Sequence, residues 1–401
     1  MKKNTWSLCG AISVLTFASC GQSGVRNTYA DKFESLCEVT VKGTKSYVLD
    51  DNTALSMIEY VRYIPDDSIP LFSFLNPHTN AIYLYDAKQD TLRDVVRFDL
   101  EGSNGVGNLQ GYCYHNADSI FTYATSSGQV KLADQEGTVA RTYRMFDPDA
   151  QLEDTTRFLT SPYLESRMPM LYAQAGTLLM GGGFLAETTL ERADNTFVTL
   201  LYDIRTENCS YANPYPEQYR HYDWGGNFFY RQPSMDLAGA GKVILSFPAD
   251  HHVWIYDLST GQRDSVYAGS RLIKTIKPFN ESKQKFPDDV PEEAISDWYY
   301  SQPSYDAVLA DPYRQLYYRI ARLPFPNHRK GTLNDKPVVV IVLDKDFHYL
   351  GESRLPEGKP YNPYNAYVSP EGLHIQLADL KDEDHLTFQI LGVERKHTEN
   401  Q

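Results

Sequence analysis

Aromatic side chains are the residues of this chain best suited to hold a ligand. The 401 residues include 30 tyrosines, against 18 phenylalanines and 4 tryptophans. Such rings stack on sugars, aromatic groups and peptides, and a nearby arginine adds cation–π attraction. Three stretches contain the predicted ligand-binding residues, which are Tyr219, His221, Tyr222, Trp224, Tyr230, Arg231, Trp298, Tyr299, Tyr300, Tyr361 and Tyr364. The alternative is that these rings only pack long loops onto the fold.

Motifs for covalent or metal chemistry are poorly represented. The sequence contains neither Gly-x-Ser-x-Gly nor His-Glu-x-x-His. One acidic run offers oxygen ligands for calcium at Asp147, Asp149, Glu153 and Asp154. It lacks the turn glycine and the final glutamate of an EF-hand loop, so a solvated loop is predicted there. We therefore predict no metal and no cofactor, we name no catalytic residue, and the balance leans against an enzyme.

The charge balance excludes one class of partner. The chain has 38 lysines and arginines against 52 aspartates and glutamates, which gives a formal net charge of −14. A surface of this sign repels the phosphates of nucleic acids. No nucleic-acid partner is therefore predicted.

The N-terminus resembles the signal of bacterial lipoproteins. Two lysines precede an apolar run at 8–18 that is too short to span a bilayer. The run leads into Ala18-Ser19-Cys20, which resembles a lipobox. The resemblance implies that residues 1–19 are a signal peptide and that Cys20 carries the lipid anchor, palmitate included. Ordinary cleavage beside an incidental cysteine is the alternative.

These features predict a compartment and a domain plan. Residues 20–36 are predicted to form a lipidated tether, and 37–401 a single domain. No acidic run follows the lipidated cysteine directly, which favours an outer-membrane anchor with the protein facing the periplasm rather than the cell surface. Three cysteines remain in the domain, an odd number in a chain long enough to bury a core. Free, buried thiols are therefore predicted for Cys37, Cys113 and Cys209.

Two recurring patterns indicate repeated units. An apolar run that ends in aspartate occurs at Asp86, Asp134, Asp203, Asp257 and Asp344. Aspartate at a strand end accepts hydrogen bonds from turn amides, so these residues are predicted to be structural. The pentapeptide Gln-Pro-Ser-x-Asp occurs at 232–236 and 302–306, each time after an aromatic pair. The two copies indicate equivalent positions in successive units.

The repeats predict an all-β fold, a six-bladed β-propeller. First strands are predicted near 57–63, 108–114, 167–173, 231–237, 303–309 and 362–368. Many short strands with almost no helical periodicity are typical of a propeller. The last unit is one strand short, and an N-terminal strand at 38–41 or 46–49 is predicted to close the ring and remove the open edge. Seven blades or a two-sheet sandwich are the alternatives.

Two further segments carry a family resemblance. They are ADPYRQLYYR at 310–319 and YNPYNA at 361–366. With the lipobox and the aspartate-ended strands, they resemble a Bacteroidetes lipoprotein family of unknown function (domain of unknown function 4221), which is similar to six-bladed TolB-like propellers. The resemblance implies the fold and brings no reaction with it.

The position of the insertions predicts the site. Extra residues at 144–166, 212–230 and 268–302 join the last strand of one unit to the first strand of the next, and in a propeller such links emerge on one face. The leading hypothesis is a lipid-anchored module of the cell envelope that binds a protein or a glycan through an aromatic mouth on that face. The alternatives are a propeller enzyme acting on glycans, as a hydrolase or lyase, and a structural subunit of an envelope complex.

Overall fold

Runs of β-branched and aromatic residues, separated by turns that contain aspartate, form the strands of this protein. The structure is a computed structural model that describes residues 24–125, 127–145, 161–173, 176–183, 197–225, 228–239, 241–280, 291–325, 332–379 and 381–396. The predicted signal peptide, Cys20 and the acidic run at 147–154 lie outside these residues and stay predictions. Within the described ranges, no helix is long and apolar enough to cross a bilayer.

Consecutive strands form four separate sheets. Two N-terminal strands come first, β1 (Val25–Arg26) and β2 (Cys37–Val48). The first sheet contains β3 (Val61–Ile64), β4 (Leu71–Asn76), β5 (Ala81–Asp86) and β6 (Thr91–Arg97). The second contains β7 (Gly111–Asn116), β8 (Ser119–Ala124), β9 (Gln129–Ala133) and β10 (Val139–Arg144). The third contains β11 (Ser161–Pro162), β12 (Leu171–Ala173), β13 (Thr177–Gly183), β14 (Phe197–Asp203) and β15 (Asn208–Pro214). The fourth contains β16 (Ser234–Leu237), β17 (Lys242–Ser246), β18 (His252–Asp257) and β19 (Arg263–Tyr267).

The remaining strands form a two-stranded pair and one large sheet. Strand β20 (Thr275–Ile276) pairs with β1 in antiparallel fashion. The large sheet has eight strands, which are β2, β21 (Ser304–Asp311), β22 (Leu316–Arg322), β23 (Val338–Leu343), β24 (Tyr349–Arg354), β25 (Tyr361–Ser369), β26 (Gly372–Leu377) and β27 (His385–Arg395). Strand β2 pairs with β27 from Cys37–Arg395 to Val48–His385, whereas it meets β24 at the single pair Cys37–Gly351.

Helices are few and short in the described ranges. They are α1 (Gln218–His221), α2 (Phe228–Arg231) and α3 (Glu292–Ser301), with 3-10 turns at Leu55–Met57 and Leu333–Asp335. The arrangement is therefore all-β and propeller-like, as predicted.

The sheets have two distinct ends. Tight turns join first to second strands and third to fourth strands, and we call the end that they form the hairpin face (turns 65–70, 87–90, 238–241, 312–315 and 370–371). The opposite end holds the segments that lead from one sheet to the next, and we call it the connection face (98–110, 215–225 and 268–280). The predicted aromatic mouth belongs to the connection face.

Burial explains the choice of residues in the strands. All six residues of β5 and of β23 are buried, which accounts for the continuous apolar runs AIYLYD and VVVIVL. Sheets pack against each other through large rings; for example, the rings of Tyr47 in β2 and Phe72 in β4 stack at 4.0 Å between centroids. The aspartates at strand ends serve turns as predicted, because Asp86 Oδ1 accepts hydrogen bonds from the amides of Lys88 (2.8 Å) and Gln89 (3.0 Å).

Residues 24–36 of the predicted tether pack against the fourth and the large sheet. The Asn27 side-chain amide donates hydrogen bonds to the carbonyls of Ser270 (2.8 Å) and Ile273 (2.9 Å). Ala30 is buried, and the ring of Phe33 stacks on that of Tyr267 at 5.1 Å. This part of the chain is therefore held to the domain.

The three cysteines of the domain are free thiols, as predicted. Cys37 is buried, whereas Cys113 and Cys209 are half-buried. Burial raises the pKa of each thiol to about 11, so all three stay protonated and unreactive at neutral pH.

Candidate functional site

The predicted aromatic residues form a packed layer on the connection face. Trp224, Tyr230 and Tyr299 are at most 1% exposed. The ring of Tyr230 lies 5.6 Å from that of Trp224, 4.8 Å from that of Trp298 and 5.4 Å from that of Tyr299. Tyr219 is buried beside Trp224 at 5.7 Å. The faces of these aromatic rings are covered by neighbouring side chains. In this conformation the rings therefore pack the long connections onto the sheets.

Local geometry explains how the layer closes. Gly225 has a φ of +75°, and a Cβ atom there would lie 2.9 Å from the ring of Trp298. Glycine thus permits both the turn after Trp224 and the close approach of the Trp298 ring. The hydroxyls are also used internally, since Tyr219 donates to the carbonyl of Tyr230 (2.6 Å) and Tyr230 to that of Pro303 (2.8 Å).

The other predicted residues are more accessible or lie elsewhere. His221 is exposed, and the half-buried ones are Tyr222, Arg231, Trp298, Tyr300 and Tyr364. Tyr361 is buried in a different core cluster, beside Val338 and Leu355. Ligand binding by this set stays a prediction, and the accessible part of it is limited to the rim of the layer.

A charged cluster lies below the aromatic layer, where first strands of several sheets converge. We call it the channel cluster, and it consists of Glu165, Arg167, Asp306, Arg322 and Tyr364. Arg167 Nε donates to Glu165 Oε2 (2.8 Å), and Arg322 Nη1 donates to Asp306 Oδ2. Both guanidinium groups lie over the ring of Tyr364, at 3.9 Å for Arg167 and 4.7 Å for Arg322. The two arginines and Asp306 are buried and paired, although Arg322 Nε has no hydrogen-bond partner among the described residues, so the first role of the cluster is to hold these strands together.

Gln232 joins this cluster to the repeated pentapeptide. Its side-chain carbonyl accepts a hydrogen bond from Arg167 Nη2 (3.0 Å). Gln232 begins one copy of the pentapeptide, and Asp306 ends the other. The repeated pentapeptide therefore marked two residues of this cluster in the sequence. Their pairing with Arg167 and Arg322 could not be predicted from the sequence.

Lys336 is a buried cation next to the aromatic layer. Its Nζ donates to the carbonyls of Tyr299 (3.1 Å) and Gln302 (2.7 Å) and lies 4.5 Å from the Tyr299 ring. Burial lowers the pKa of Lys336 to about 7, although the Asp306 carboxylate acts in the opposite direction. The Lys336 side chain is therefore only partly protonated near neutral pH.

This lowered pKa predicts a rise of stability with pH. An unfolded lysine titrates near 10.4, so above pH 7 the unfolded chain binds more protons than the folded one. We expect the free energy of unfolding to rise between about pH 7 and pH 8.5, by up to about 1.4 kcal/mol per pH unit. Above this interval the thiols, whose pKa burial raises to about 11, act in the opposite direction.

Urea unfolding followed by circular dichroism checks this expectation. The Lys336→Met variant removes the titrating group and should show no such rise, whatever its absolute stability. Equal slopes for the two proteins would show that Lys336 is not the group responsible.

The hairpin face carries two open cavities that adjoin each other. One has a volume of about 660 Å³ and lies between β2, β25 and the 65–70 turn; the other, about 520 Å³, lies at the end of the central channel. Both are lined by Tyr63, Pro65, Tyr313 and Tyr367. We call the combined depression the hairpin-face groove. Tyr313 is 43% exposed, so its ring is available to a ligand.

Two opposite charges lie on the channel side of the groove. Arg62 of β3 and Asp236 of β16 both line the smaller cavity. The Arg62 guanidinium makes no hydrogen bond or ion pair with any residue of the described ranges. Burial raises the pKa of the Asp236 carboxyl, which accepts the amide of Ala310 (3.0 Å). The groove therefore offers an unused cationic donor next to apolar and aromatic walls.

A serine–histidine contact at the edge of the groove lacks catalytic organisation. Ser369 lines the larger cavity, and its hydroxyl lies 2.8 Å from His374 Nε2. The Nδ1 atom of His374 has no hydrogen-bond partner among the described residues, and burial lowers the pKa of this imidazole to about 3. An imidazole of such low basicity, with no carboxylate at Nδ1, is a weak general base.

One exposed group could approach a cation. Ligand atoms of Asp344, Asp346 and His348, in the turn after β23, lie within 4.8 Å of one another. Asp344 Oδ1 already accepts hydrogen bonds from the amides of Asp346 (2.9 Å) and His348 (2.8 Å). Such bonds are typical of an aspartate that stabilises a turn.

Comparisons with known proteins agree with the fold. The family model described as "Domain of unknown function (DUF4221)" matches residues 37–354. A crystal structure of a DUF4221 family member from Bacteroides vulgatus is 19% identical, with a TM-score of 0.74 over 91% of this chain and 100% of the other. A structure of a protein from Bacteroides fragilis is 13% identical, with a TM-score of 0.52 over 89% and 95% of the two chains. No curated protein matches the sequence. At these identities the two structures support the fold alone.

Proposed function

Because the chain belongs to the DUF4221 family, whose description names no reaction, we propose its function from its own geometry: it is a ligand-binding or protein-interaction module of the cell envelope, anchored by a lipid at Cys20. The proposed binding site is the hairpin-face groove rather than the packed aromatic layer. The observation that carries this proposal is the adjoining pair of open cavities that share Tyr63, Tyr313 and Tyr367 and include Arg62, whose guanidinium has no hydrogen-bond partner among the described residues.

The same geometry supports six blades. The eight-stranded sheet divides at the single Cys37–Gly351 pair into β21–β24 and a second set formed by β25, β26, β27 and β2. Counted this way, every blade has a core of four strands, and β2 supplies the outer strand of the last. The stack of Tyr47 on Phe72 links that last blade to the first.

Arg62 indicates the chemistry of the ligand. The charge of Arg62 acts on the Asp236 carboxyl, but its N–H groups have no hydrogen-bond acceptor among the described residues. Such a donor beside a cavity is satisfied best by a carboxylate or a phosphate, which can accept two hydrogen bonds from one guanidinium. The neighbouring walls contain Tyr63, Tyr313 and Tyr317, which suit a sugar ring or an apolar side chain. We therefore propose a ligand that carries an anionic group next to such a ring or side chain.

We expect Arg62→Ala to weaken this binding by about 10-fold to 150-fold, because a hydrogen bond to a charged group contributes about 1.5–3 kcal/mol. The measurement is calorimetric titration with acidic oligosaccharides and with peptides that have a free C-terminal carboxylate, each paired with its uncharged amide. The matched control is Arg93→Ala, since Arg93 is exposed on the outer strand β6 of the same sheet as Arg62.

Three outcomes are informative. Binding of the carboxylates but not of the amides, lost in Arg62→Ala and kept in Arg93→Ala, supports the groove. Equal effects of the two variants would place the ligand elsewhere. Release of cleaved products from the oligosaccharides, abolished in Asp236→Asn, would favour the alternative glycan enzyme, since Asp236 has the raised pKa of a general acid.

A further inference from the structure

The smaller cavity of the hairpin-face groove has an apolar floor. Aliphatic side chains from several strands line it, namely Leu237 of β16, Leu309 of β21, Leu316 of β22 and Val368 of β25. All of them are half-buried, and each packs against a core cluster with part of its surface left open. The end of the central channel therefore offers an apolar surface to a ligand.

Most polar groups around this floor already serve the fold. The two carboxylate oxygens of Asp236 accept backbone amides at 2.8 and 3.0 Å. Asp311 accepts two turn amides, both at 3.0 Å. The Tyr317 hydroxyl donates to a backbone carbonyl (3.1 Å), and the Tyr367 hydroxyl lies 3.3 Å from that of Tyr47. A sugar ring carries hydroxyls on every side and would leave several of them without partners on this floor.

The charged groups of the smaller cavity are paired, with the exception of Arg62. Lys345 Nζ pairs with the aspartate that follows it (2.6 Å), and Asp311 pairs with Arg314 (3.0 Å). Arg62 acts on Asp236 through its charge, but its N–H groups have no acceptor among the described residues. The cavity therefore retains one set of unused donors, which suits a single anionic group.

The larger cavity continues the groove with a different lining. Its walls include Pro65, Pro70 and Pro370, together with the exposed side chains of Asp67 and Lys88. A long-chain fatty acid bound by its carboxylate in the smaller cavity would place its tail among these charged groups, which costs free energy. A peptide can instead offer backbone amides, carbonyls and polar side chains to the same walls.

We infer that the partner of the hairpin-face groove is the C-terminal end of a protein chain whose last residue is apolar. The free carboxylate binds the Arg62 guanidinium, the last side chain lies on the floor of the smaller cavity, and the preceding residues lie in the larger cavity. This inference rests on the proposed function, because it uses the same groove and the same arginine. It narrows the ligand from anionic compounds in general to one class of macromolecule.

Calorimetric titration of the full chain with three hexapeptides tests the inference. The peptides differ only at the last residue, which is leucine with a free carboxylate, leucine amide, or serine with a free carboxylate. We expect the leucine acid to bind about 10-fold to 150-fold more tightly than the serine acid, because burial of a leucine side chain is favourable. The leucine amide should bind as weakly as the leucine acid binds to Arg62→Ala.

Two matched variants locate the last side chain. Val368→Thr keeps the volume of a floor residue and replaces a methyl group with a hydroxyl, so it should reduce the preference for leucine over serine by about 4-fold. The control is Val139→Thr, at a half-buried position of β10 in the second sheet, none of whose described residues lines either cavity. This control should keep the full preference, and circular dichroism verifies that both variants are folded.

Several results would overturn the inference while leaving the anion site of the proposed function in place. One is equal affinity for the leucine and serine acids, with binding lost in Arg62→Ala. Another is a preference for leucine that is the same in Val368→Thr and in the unaltered protein. Tighter binding of acidic oligosaccharides or of a long-chain fatty acid than of any peptide, again lost in Arg62→Ala, would assign the groove to that ligand instead.

Two other results would reach further. Equal binding of the leucine acid and its amide would overturn both the inference and the role of Arg62. Absence of binding by every carboxylate, peptide, sugar and fatty acid alike, would overturn the inference together with the proposed groove.

Discussion

Replacing Asp306 with alanine is expected to lower the free energy of unfolding by about 3–5 kcal/mol, because it leaves a buried guanidinium without its counter-ion. Arg322 is fully buried, and Asp306 is only 1% exposed. Asp306 Oδ1 also accepts the hydroxyl of Ser304 (2.6 Å), so the substitution removes two hydrogen bonds from a buried site. Arg167 and Arg322 both lie over Tyr364, and the loss of the carboxylate would leave their like charges less compensated.

A double-mutant cycle with Arg322→Met separates this interaction from general damage. Methionine keeps much of the volume and removes the charge, so the double variant should be destabilised by less than the sum of the two single variants. The matched control is Lys42→Ala, which breaks the exposed pair of Lys42 with Glu394 and should cost less than about 1 kcal/mol. Urea unfolding followed by circular dichroism measures the unaltered protein and all four variants. If Asp306→Ala lowers the free energy of unfolding by less than Lys42→Ala does, the pair of Asp306 with Arg322 does not stabilise the channel.

The arrangement of strands was accessible from sequence because its signals are local. An apolar run that ends in aspartate, as in β5 and β18, specifies a strand and the turn after it. An N-terminal strand at 38–41 or 46–49 was predicted from a different argument, the missing strand of the last unit. Strand β2 covers both segments and pairs with β27 along its length, while closure of the ring stays a prediction. Both inferences use only neighbouring residues or the count of repeats.

The contacts that make the candidate site could not be found in this way. Arg62 and Asp236 are single residues in different sheets, and only the arrangement of the sheets around the channel brings them to one cavity. Likewise, Arg167 and Arg322 meet the ring of Tyr364 across more than 150 positions of sequence in the first case. No local pattern marks such pairs, because their partners are chosen by tertiary packing.

The aromatic stretches show a second limit. A tyrosine or tryptophan in a long insertion has the same sequence signature whether it faces a ligand or folds back on the sheets. Burial decides between these roles, and Trp224 at 1% exposure and Tyr313 at 43% exposure lie at the two extremes. Tyr313 lies in a short hairpin turn without an insertion. The prediction that the site lies in the long insertions therefore did not include it.

Replacing Trp224 with alanine is expected to lower the free energy of unfolding by about 3–5 kcal/mol, the usual cost of deleting a large buried ring. The indole packs on Tyr219, Tyr222 and Tyr230 and donates a hydrogen bond from Nε1 to the carbonyl of Gln218 (3.2 Å). The alanine side chain fills little of this space, so the connection that begins after β15 loses the ring on which its own tyrosines pack. A residue that served only as a ligand platform would show no such loss.

The matched comparison is Tyr313→Ala, which removes an exposed ring from the hairpin face and should change stability by less than about 0.5 kcal/mol. Tyr313 lines the groove, so the same variant should lower the affinity for the carboxylate ligands proposed to bind Arg62. Trp224→Ala should leave that affinity unchanged at a temperature where it is folded. Urea unfolding and calorimetric titration of both variants therefore give opposite patterns if the aromatic layer is structural and the groove binds. The reverse pattern, a stable Trp224→Ala that has lost its ligand, would return the binding site to the connection face.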